Sequence, residues 1–411
     1  TLQGPLGNVI ERTTVDIASD IITGSEVFSD FDEFGRPGRV TYLDSTFKLY
    51  SYLCCGLESE TDRDGVTTTY GYDALKRRIT TTRNSIAHIQ TLDAANRVLF
   101  TQRQGTNAST VTLASMVYDT AGRLLYQTNA VGNLTSFGES TDTNGQTLKF
   151  TTNALAATRI ETYFKDGSLK SLTGTAVHGV RYDYGVESDL PYTKEIKLLT
   201  NGTDSAEWTK TFTDIAGRSF KTVYPDSAYT QSYFNNAGQL WKQRDADGVV
   251  TLYAYNGEGQ IEYTALDMNR DDAIDFDGTD RITRTVRDVV AAHSTNVRRS
   301  RSYVWTTGSS TNSLLTSTVE AAVDGTRTWQ TAFGLTSQSV SLCGGTCAAT
   351  NIAPDGSYTT SVKTNGYLMA VTRYDSQGTQ LGGTTYTYDE DGRQKTMTDA
   401  RNGTSTLIYD D

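Results

Sequence analysis

The chain contains no run of 18 apolar residues, so no segment is long enough to cross a bilayer as a helix. Its opening residues, Thr-Leu-Gln-Gly-Pro, lack a charged stretch leading into an apolar one, and no secretory leader is expected there. Positive charge is in deficit: 37 Lys and Arg stand against 48 Asp and Glu, a net charge of −11. Nucleic acid and anionic membrane surfaces both need clustered cations, so neither is expected as a partner. The one basic cluster, Arg298-Arg299-Ser300-Arg301, is short and reads as an ordinary exposed strand. No stretch carries a helical apolar period.

Catalytic signatures are missing as well. There is no Gly-x-Ser-x-Gly elbow, no His-Glu-x-x-His and no phosphate-binding loop. The three histidines, His88, His178 and His293, show no ligand spacing and are scattered over repeat strands, so no nucleophile–base pair is expected. Paired carboxylates are plentiful in so acidic a chain, so their presence selects no hydrolase site. No catalytic residue is assigned, and the chain is not expected to be an enzyme.

Cysteine is scarce too, with four in 411 residues, too few for a disulfide scaffold. Cys54 and Cys55 are adjacent, whereas Cys343 and Cys347 flank Gly344-Gly345-Thr346. The second pair can close a small disulfide loop in an oxidising compartment, where glycines permit the approach. Free thiols and a metal site are the alternatives, though zinc needs four ligands.

What the sequence does contain is a recurring order of tyrosine, aspartate, glycine and arginine. The fullest copies are Tyr118-Asp119-Thr120-Ala121-Gly122-Arg123-Leu124 and Tyr388-Asp389-Glu390-Asp391-Gly392-Arg393. Looser ones begin at Phe31, Tyr72, Leu92 and Thr213, and copies with Gln or Thr in place of Arg begin at Phe234, Tyr255 and Tyr374. Asp214, Asn235 and Asn256 are 21 residues apart, as are Asp389 and Asp410, and Asp73 and Asp93 are 20 apart. So short a period means one supersecondary unit repeated many times.

Each unit is β by its chemistry. Asp opening a turn and Gly closing it suit a type I turn whose left-handed fourth residue forms a bulged hairpin. The flanks alternate and are rich in Tyr, Thr, Val and Leu, which favour pleated strands. Tyr pairs two apart, such as Tyr70 and Tyr72 or Tyr253 and Tyr255, fall on one strand face. Further turns are marked by Asp64-Gly65, Asp247-Gly248 and Asn402-Gly403, the strongest short hairpin signal. The Asp and Arg of each unit can pair across their turn, an exposed pair worth roughly 0–1 kcal/mol. With 24 Tyr against 13 Phe, a thin two-faced sheet with half-buried rings fits better than a deep core.

With these units laid out, the chain resembles the YD-repeat, or RHS-repeat, family. The matching stretches include Asp64-Gly65-Val66-Thr67-Thr68-Thr69-Tyr70-Gly71-Tyr72-Asp73 and Asp247-Gly248-Val249-Val250-Thr251-Leu252-Tyr253-Ala254-Tyr255-Asn256. The resemblance is strongest over 60–130, 210–265 and 370–411, and the repeats at 135–205 and 285–365 are degenerate. It implies an all-β chain, 1–411, of tandem β-hairpins in one continuous antiparallel sheet that spirals into a hollow shell or cocoon. Relatives include bacterial toxin complexes, effectors that enclose a toxic C-terminal region, wall-associated proteins and the animal teneurins. A secreted or surface-exposed bacterial setting follows from that resemblance. Because the chain stops partway through a repeat, it is expected to be a fragment.

One segment stands outside the repeat, the acidic insertion at 267–281. Asp267, Asn269, Asp271 and Asp275 place oxygen donors at alternating positions, with Asp277 two residues on. Calcium takes six to eight oxygens, so the spacing is that of a structural calcium loop. The sixth position is Asp272 where such loops carry Gly, and the twelfth is Gly278 where a bidentate carboxylate belongs.

The expected function is a shell wall that encloses or displays another region of the same polypeptide, such as a toxin-like cargo. An extracellular adhesion module binding cell-surface glycan or protein is the alternative. A β-rich glycoside hydrolase is a third reading, which the 21-residue step disfavours because a propeller blade needs about 40–50 residues.

Overall fold

The computed structural model describes all residues except Leu6, Cys55, 306–312, Gly345, Asp410 and Asp411. Cys55, next to Cys54, and the last repeat step to Asp410 therefore lie outside the described residues. The chain is all-β: 35 strands belong to one sheet, and no helix occurs among the described residues. Strands pair antiparallel with their neighbours in sequence, as in Lys210↔Val223, Lys221↔Gln231 and Tyr233↔Lys242. Such hairpin stacking is what a short repeat produces, because each edge is covered by the next unit.

The turn chemistry explains the hairpins. At Asp214 the backbone N–H bonds the Arg218 carbonyl at 2.9 Å, and the Gly217 N–H returns to the Asp214 carbonyl at 2.9 Å. Gly217 takes φ +78°, and the pairing slips by one residue between Phe212 and Thr213. This is the three-residue hairpin with a bulge. The Asp214 carboxylate fixes it by accepting the N–H groups of Ala216 and Arg218, both at 2.9 Å. Asn235 does the same with its amide oxygen, accepting from Ala237 and Gln239 at 3.0 and 2.9 Å.

The Asp-Gly dipeptides use this geometry too, not the two-residue turn that such a pair commonly forms. Asp62 bonds Val66 and Asp245 bonds Val249 across the loop, and only Gly65 and Gly248 within those turns are left-handed. Two-residue turns with both residues at positive φ are found elsewhere, at Asn84-Ser85, Ser188-Asp189, His293-Ser294, Phe333-Gly334 and Asn365-Gly366. The bulged turn also persists through 135–205, for example at Asp142–Gln146 and Asn153–Ala157. Between 285 and 365 longer strands take over, including Arg281–Ala292 and Thr295–Trp305.

Contacts divide the chain into two compact units. One comprises 1–113, 286–302 and 315–411; the other comprises 114–285 and 303–314. In the second, Val250, Leu252, Ala265 and Ile282 form a buried cluster against which Trp241, Tyr263 and Trp305 pack. In the first, Val297, Ala322 and Trp329 form a smaller cluster, with the His293 ring stacked on Trp329 at 4.0 Å. Buried apolar side chains are few for a chain of this length, so much of the order comes from backbone pairing and half-buried rings.

Candidate functional site

The repeat tyrosines act between units. Tyr72, Tyr184 and Tyr255 donate their hydroxyls to the carbonyls of Leu57, Leu169 and Leu240, each 15 residues upstream, at 2.6–2.8 Å. Tyr52 and Tyr409 reach Pro37 and Gln394 over the same spacing, and Tyr388 reaches Leu368. Tyr72, Tyr255 and Tyr388 thus occupy equivalent places, each ending the strand before its turn.

The turn arginines do more than pin their own aspartate. Arg218 Nε donates to Asp214 at 2.8 Å, and its guanidinium also lies 3.9 Å from the centroid of the Phe234 ring in the next unit. Arg36 stands over Tyr52 at 4.4 Å and Arg393 over Tyr409 at 4.5 Å. The aromatic is 16 residues beyond the arginine in each case. A pair read as a local turn clip is therefore also a staple between hairpins.

In the first unit, segments distant in sequence meet. Asn84 Nδ2 donates to the Asn365 carbonyl at 2.8 Å across 281 residues. The Thr106 N–H and hydroxyl both reach the Glu390 carbonyl, at 2.8 and 3.2 Å. Asp391 is nearly buried there, its carboxylate 3.4 Å from Arg103 and 3.1 Å from Arg393. Gly392 is wedged so closely that an added Cβ would fall 2.5 Å from Ile86 Cδ1 and from the Tyr367 hydroxyl. Beside this seam lies a recess of about 440 Å³ lined in part by Arg83, His88, Arg103 and Tyr367.

The acidic insertion belongs to the second unit. Asp267 and Asp280 are buried and face backbone donors: Asp267 accepts from Arg270 and Asp272, Asp280 from Met268 and Asp275. Asn269 Nδ2 stands between Asp271 Oδ2 at 3.1 Å and Asp275 Oδ2 at 2.7 Å. Of the five residues picked from spacing, Asn269, Asp271 and Asp275 come together, Asp267 serves the loop backbone, and Asp277 is exposed. The amide nitrogen sits where a cation between the two carboxylates would sit, and a flip of the amide would offer its oxygen. Spacing did not show that Ile274 and Phe276 fold back on the sheet. Phe276 packs edge-on against Tyr263 at 5.3 Å and meets Trp305 at 5.4 Å.

Cys343 and Cys347 are directly opposed across their hairpin and joined as a disulfide. Asp64, from a turn far away in sequence, places Oδ1 3.1 Å from Cys347 Sγ. The basic cluster is held in place: Arg299 and Arg301 share one carboxylate, Asp288, at 2.7 and 2.9 Å. Arg298 donates to the Thr23 carbonyl, so the cluster is tied into its surroundings and is not a free cationic patch.

Titration follows the same geometry. The Arg123 backbone N–H and then its guanidinium hold the Asp119 carboxyl below the ordinary aspartate value. Partial burial, followed by a hydrogen bond to Glu60, pushes Tyr70 up to about 12, and Glu195 completes the same effect at Tyr182. These shifts favour carboxylates that stay charged and phenols that stay protonated, which suits structural hydrogen bonding.

No known protein-family profile matches the chain, and no curated protein matches it. Among solved structures it is similar to TcdB2-TccC3, at 11% identity and a TM-score of 0.35, over 97% of this chain and 30% of that one. TcdB2-TccC3 without its hypervariable C-terminal region gives 11% identity and a TM-score of 0.34, over 97% of this chain and 32% of that one. A Tc holotoxin pore of Photorhabdus luminescens gives 11% and 0.29, over 93% and 26%. The chain spans about a third or less of the length of each.

Proposed function

We propose that this chain is a wall segment of a β-shell that encloses or displays another region of the same polypeptide, in a secreted or surface-exposed bacterial protein. The observation that carries the reading is the seam of the first unit. Hairpin turns at 84–85 and 105–108 bond to residues 365 and 390. Contacts that hold hairpins far apart in sequence against one another suit a wall built to enclose, because a twisted sheet curls as it lengthens. The staples between successive units, Tyr hydroxyl to carbonyl and Arg over aromatic, stiffen such a wall without a second layer. The disulfide of Cys343 and Cys347 agrees with an oxidising destination.

We assign no catalysis to residues 1–411 and give the acidic loop a structural calcium ion, held by Asn269, Asp271 and Asp275. Electron cryomicroscopy of the full-length gene product tests the main reading. Density of a second region bounded by this sheet supports it. A bare sheet with every other domain outside would overturn it.

A further inference from the structure

The turn around Asp64 carries one carboxylate more than it needs. Asp62 performs the turn-fixing work, accepting the N–H groups of Asp64 and Val66 at 3.1 and 3.0 Å. The half-buried Asp64 carboxylate lies against the hairpin that carries Cys343 and Cys347. With the bridge closed, the sulfur 3.1 Å from Asp64 Oδ1 has no proton to donate, so the carboxylate gains nothing from that neighbour. With the bridge closed the donor atoms of Cys343, Cys347 and Asp64 lie within 4.8 Å of one another, and opening it leaves two thiols beside that carboxylate.

We propose that in the reduced chain Cys343, Cys347 and Asp64 form a three-donor site for a thiophilic divalent cation of the zinc type, with water as the fourth ligand. Tetrahedral zinc, with bonds of about 2.3 Å to sulfur and 2.0–2.2 Å to oxygen, spaces its donors by roughly 3.5 Å. Breaking the S–S bond lets the two sulfurs move apart toward that spacing, and Asp64 Oδ1 already lies 3.1 Å from Cys347 Sγ. Two thiolates suit a borderline-soft metal, and the carboxylate completes a set that two opposed cysteines alone leave short.

The chemistry balances. A dithiol reductant breaks the S–S bond and closes to its own disulfide, passing two electrons and two protons to Cys343 and Cys347. The incoming cation then displaces both thiol protons to solvent. Thiols persist in a reducing cytosol and disulfides form after export, so the site would hold metal in the newly made chain and give way to the bridge outside. Since Asp64 and the cysteines come from segments 283 residues apart, the ion would clamp that contact in the interval. This inference does not depend on the shell reading.

The test uses the whole 411-residue chain with Cys54 and Cys55 both replaced by Ser, so that only one pair of cysteines remains. The reduced chain, freed of reductant under nitrogen, is titrated with cobalt(II) chloride, and thiolate-to-cobalt charge-transfer absorption is followed. The expected result is one equivalent bound by the reduced chain, none by the oxidised chain, and displacement by zinc. D64N should weaken binding at least tenfold while both thiols remain titratable and the circular dichroism is unchanged. No charge-transfer band in the reduced chain, or equal cobalt affinity in D64N, would overturn the proposal.

Discussion

Replacing Gly392 with Ala should damage the first unit more than the same change at Gly217, and the difference measures the seam. Both glycines occupy the left-handed position of the same bulged turn, with φ of +75° and +78°. A side chain in that conformation costs about 1–2 kcal/mol, so both variants lose that amount. At Gly217 the added methyl meets nothing within 4 Å. At Gly392 it would sit 2.5 Å from Ile86 and from Tyr367, and Ile86 is itself buried. Overpacking of that kind adds about 1–3 kcal/mol. The expected penalties are therefore about 1–2 kcal/mol for G217A and about 2–5 kcal/mol for G392A. Because long repeat arrays need not unfold in one step, native-state hydrogen exchange is the suitable assay, resolved by peptide. G392A should lower protection in its own hairpin and also in the strand Ile86–Leu92, far away in sequence. G217A should lower protection only near 210–223. Equal penalties, or a G392A effect confined to residues near 392, would refute the contact between those segments.

Acid should open the Asp turns before the Asn turns. Asp119 and Asp214 have folded-state values below the ordinary one, so the unfolded chain binds more protons in acid. Their contribution is complete above about pH 4 and disappears as pH falls through the lowered values. Asn235 and Asn256 make the same backbone bonds without titrating, so amide protection at 235–239 and 256–260 should outlast that at 214–218 near pH 3. Simultaneous loss in all of these turns would count against carboxylate control. R218A should cost about 1–2 kcal/mol, because it loses both the Asp214 pair and the stack on Phe234. R123A should cost less than R218A, since the residue 16 positions on is Glu139 and not an aromatic. Exchange-derived stabilities of the two hairpins give the comparison, and equal losses would remove the stapling role. For the acidic loop, millimolar calcium should raise the melting temperature in scanning calorimetry, and D271N should abolish the rise. An unchanged wild-type melting temperature would leave the loop as a hydrogen-bonded cap over Tyr263 and Trp305.

Much of this architecture was legible because it repeats. The 20–21-residue step, the Asp and Gly at fixed offsets and the paired tyrosines all act locally, and local chemistry leaves a periodic trace in sequence. The arginine staple was present too, in Arg36 with Tyr52, Arg218 with Phe234 and Arg393 with Tyr409, but it spans 16 residues and hides behind the nearer Asp partner. Two-residue turns at Ser188-Asp189, His293-Ser294 and Phe333-Gly334 follow no residue preference. There the strand register forces positive φ on Ser188, Ser294 and Phe333, which tolerate it less readily than the Asp, His and Gly beside them. Ile274 and Phe276 were masked by the charge around them, and their burial depends on Tyr263 and Trp305 being beneath. The seam left no mark at all, because Asn84 with Asn365 and Arg103 with Asp391 are single contacts between distant segments.

That seam supports the account more directly than any other feature, and chemical cross-linking can interrogate it. In a chain whose four cysteines are replaced by Ser, Asn84 and Asn365 become Cys, and a short bis-maleimide is added under native conditions. Asn84 Nδ2 lies 2.8 Å from the Asn365 carbonyl, so intramolecular cross-linking should be rapid. It should be lost in denaturing urea. Fast cross-linking of the 84–365 pair in the native chain is the result expected of the seam. A native chain that links this pair no faster than the urea-unfolded chain would contradict it.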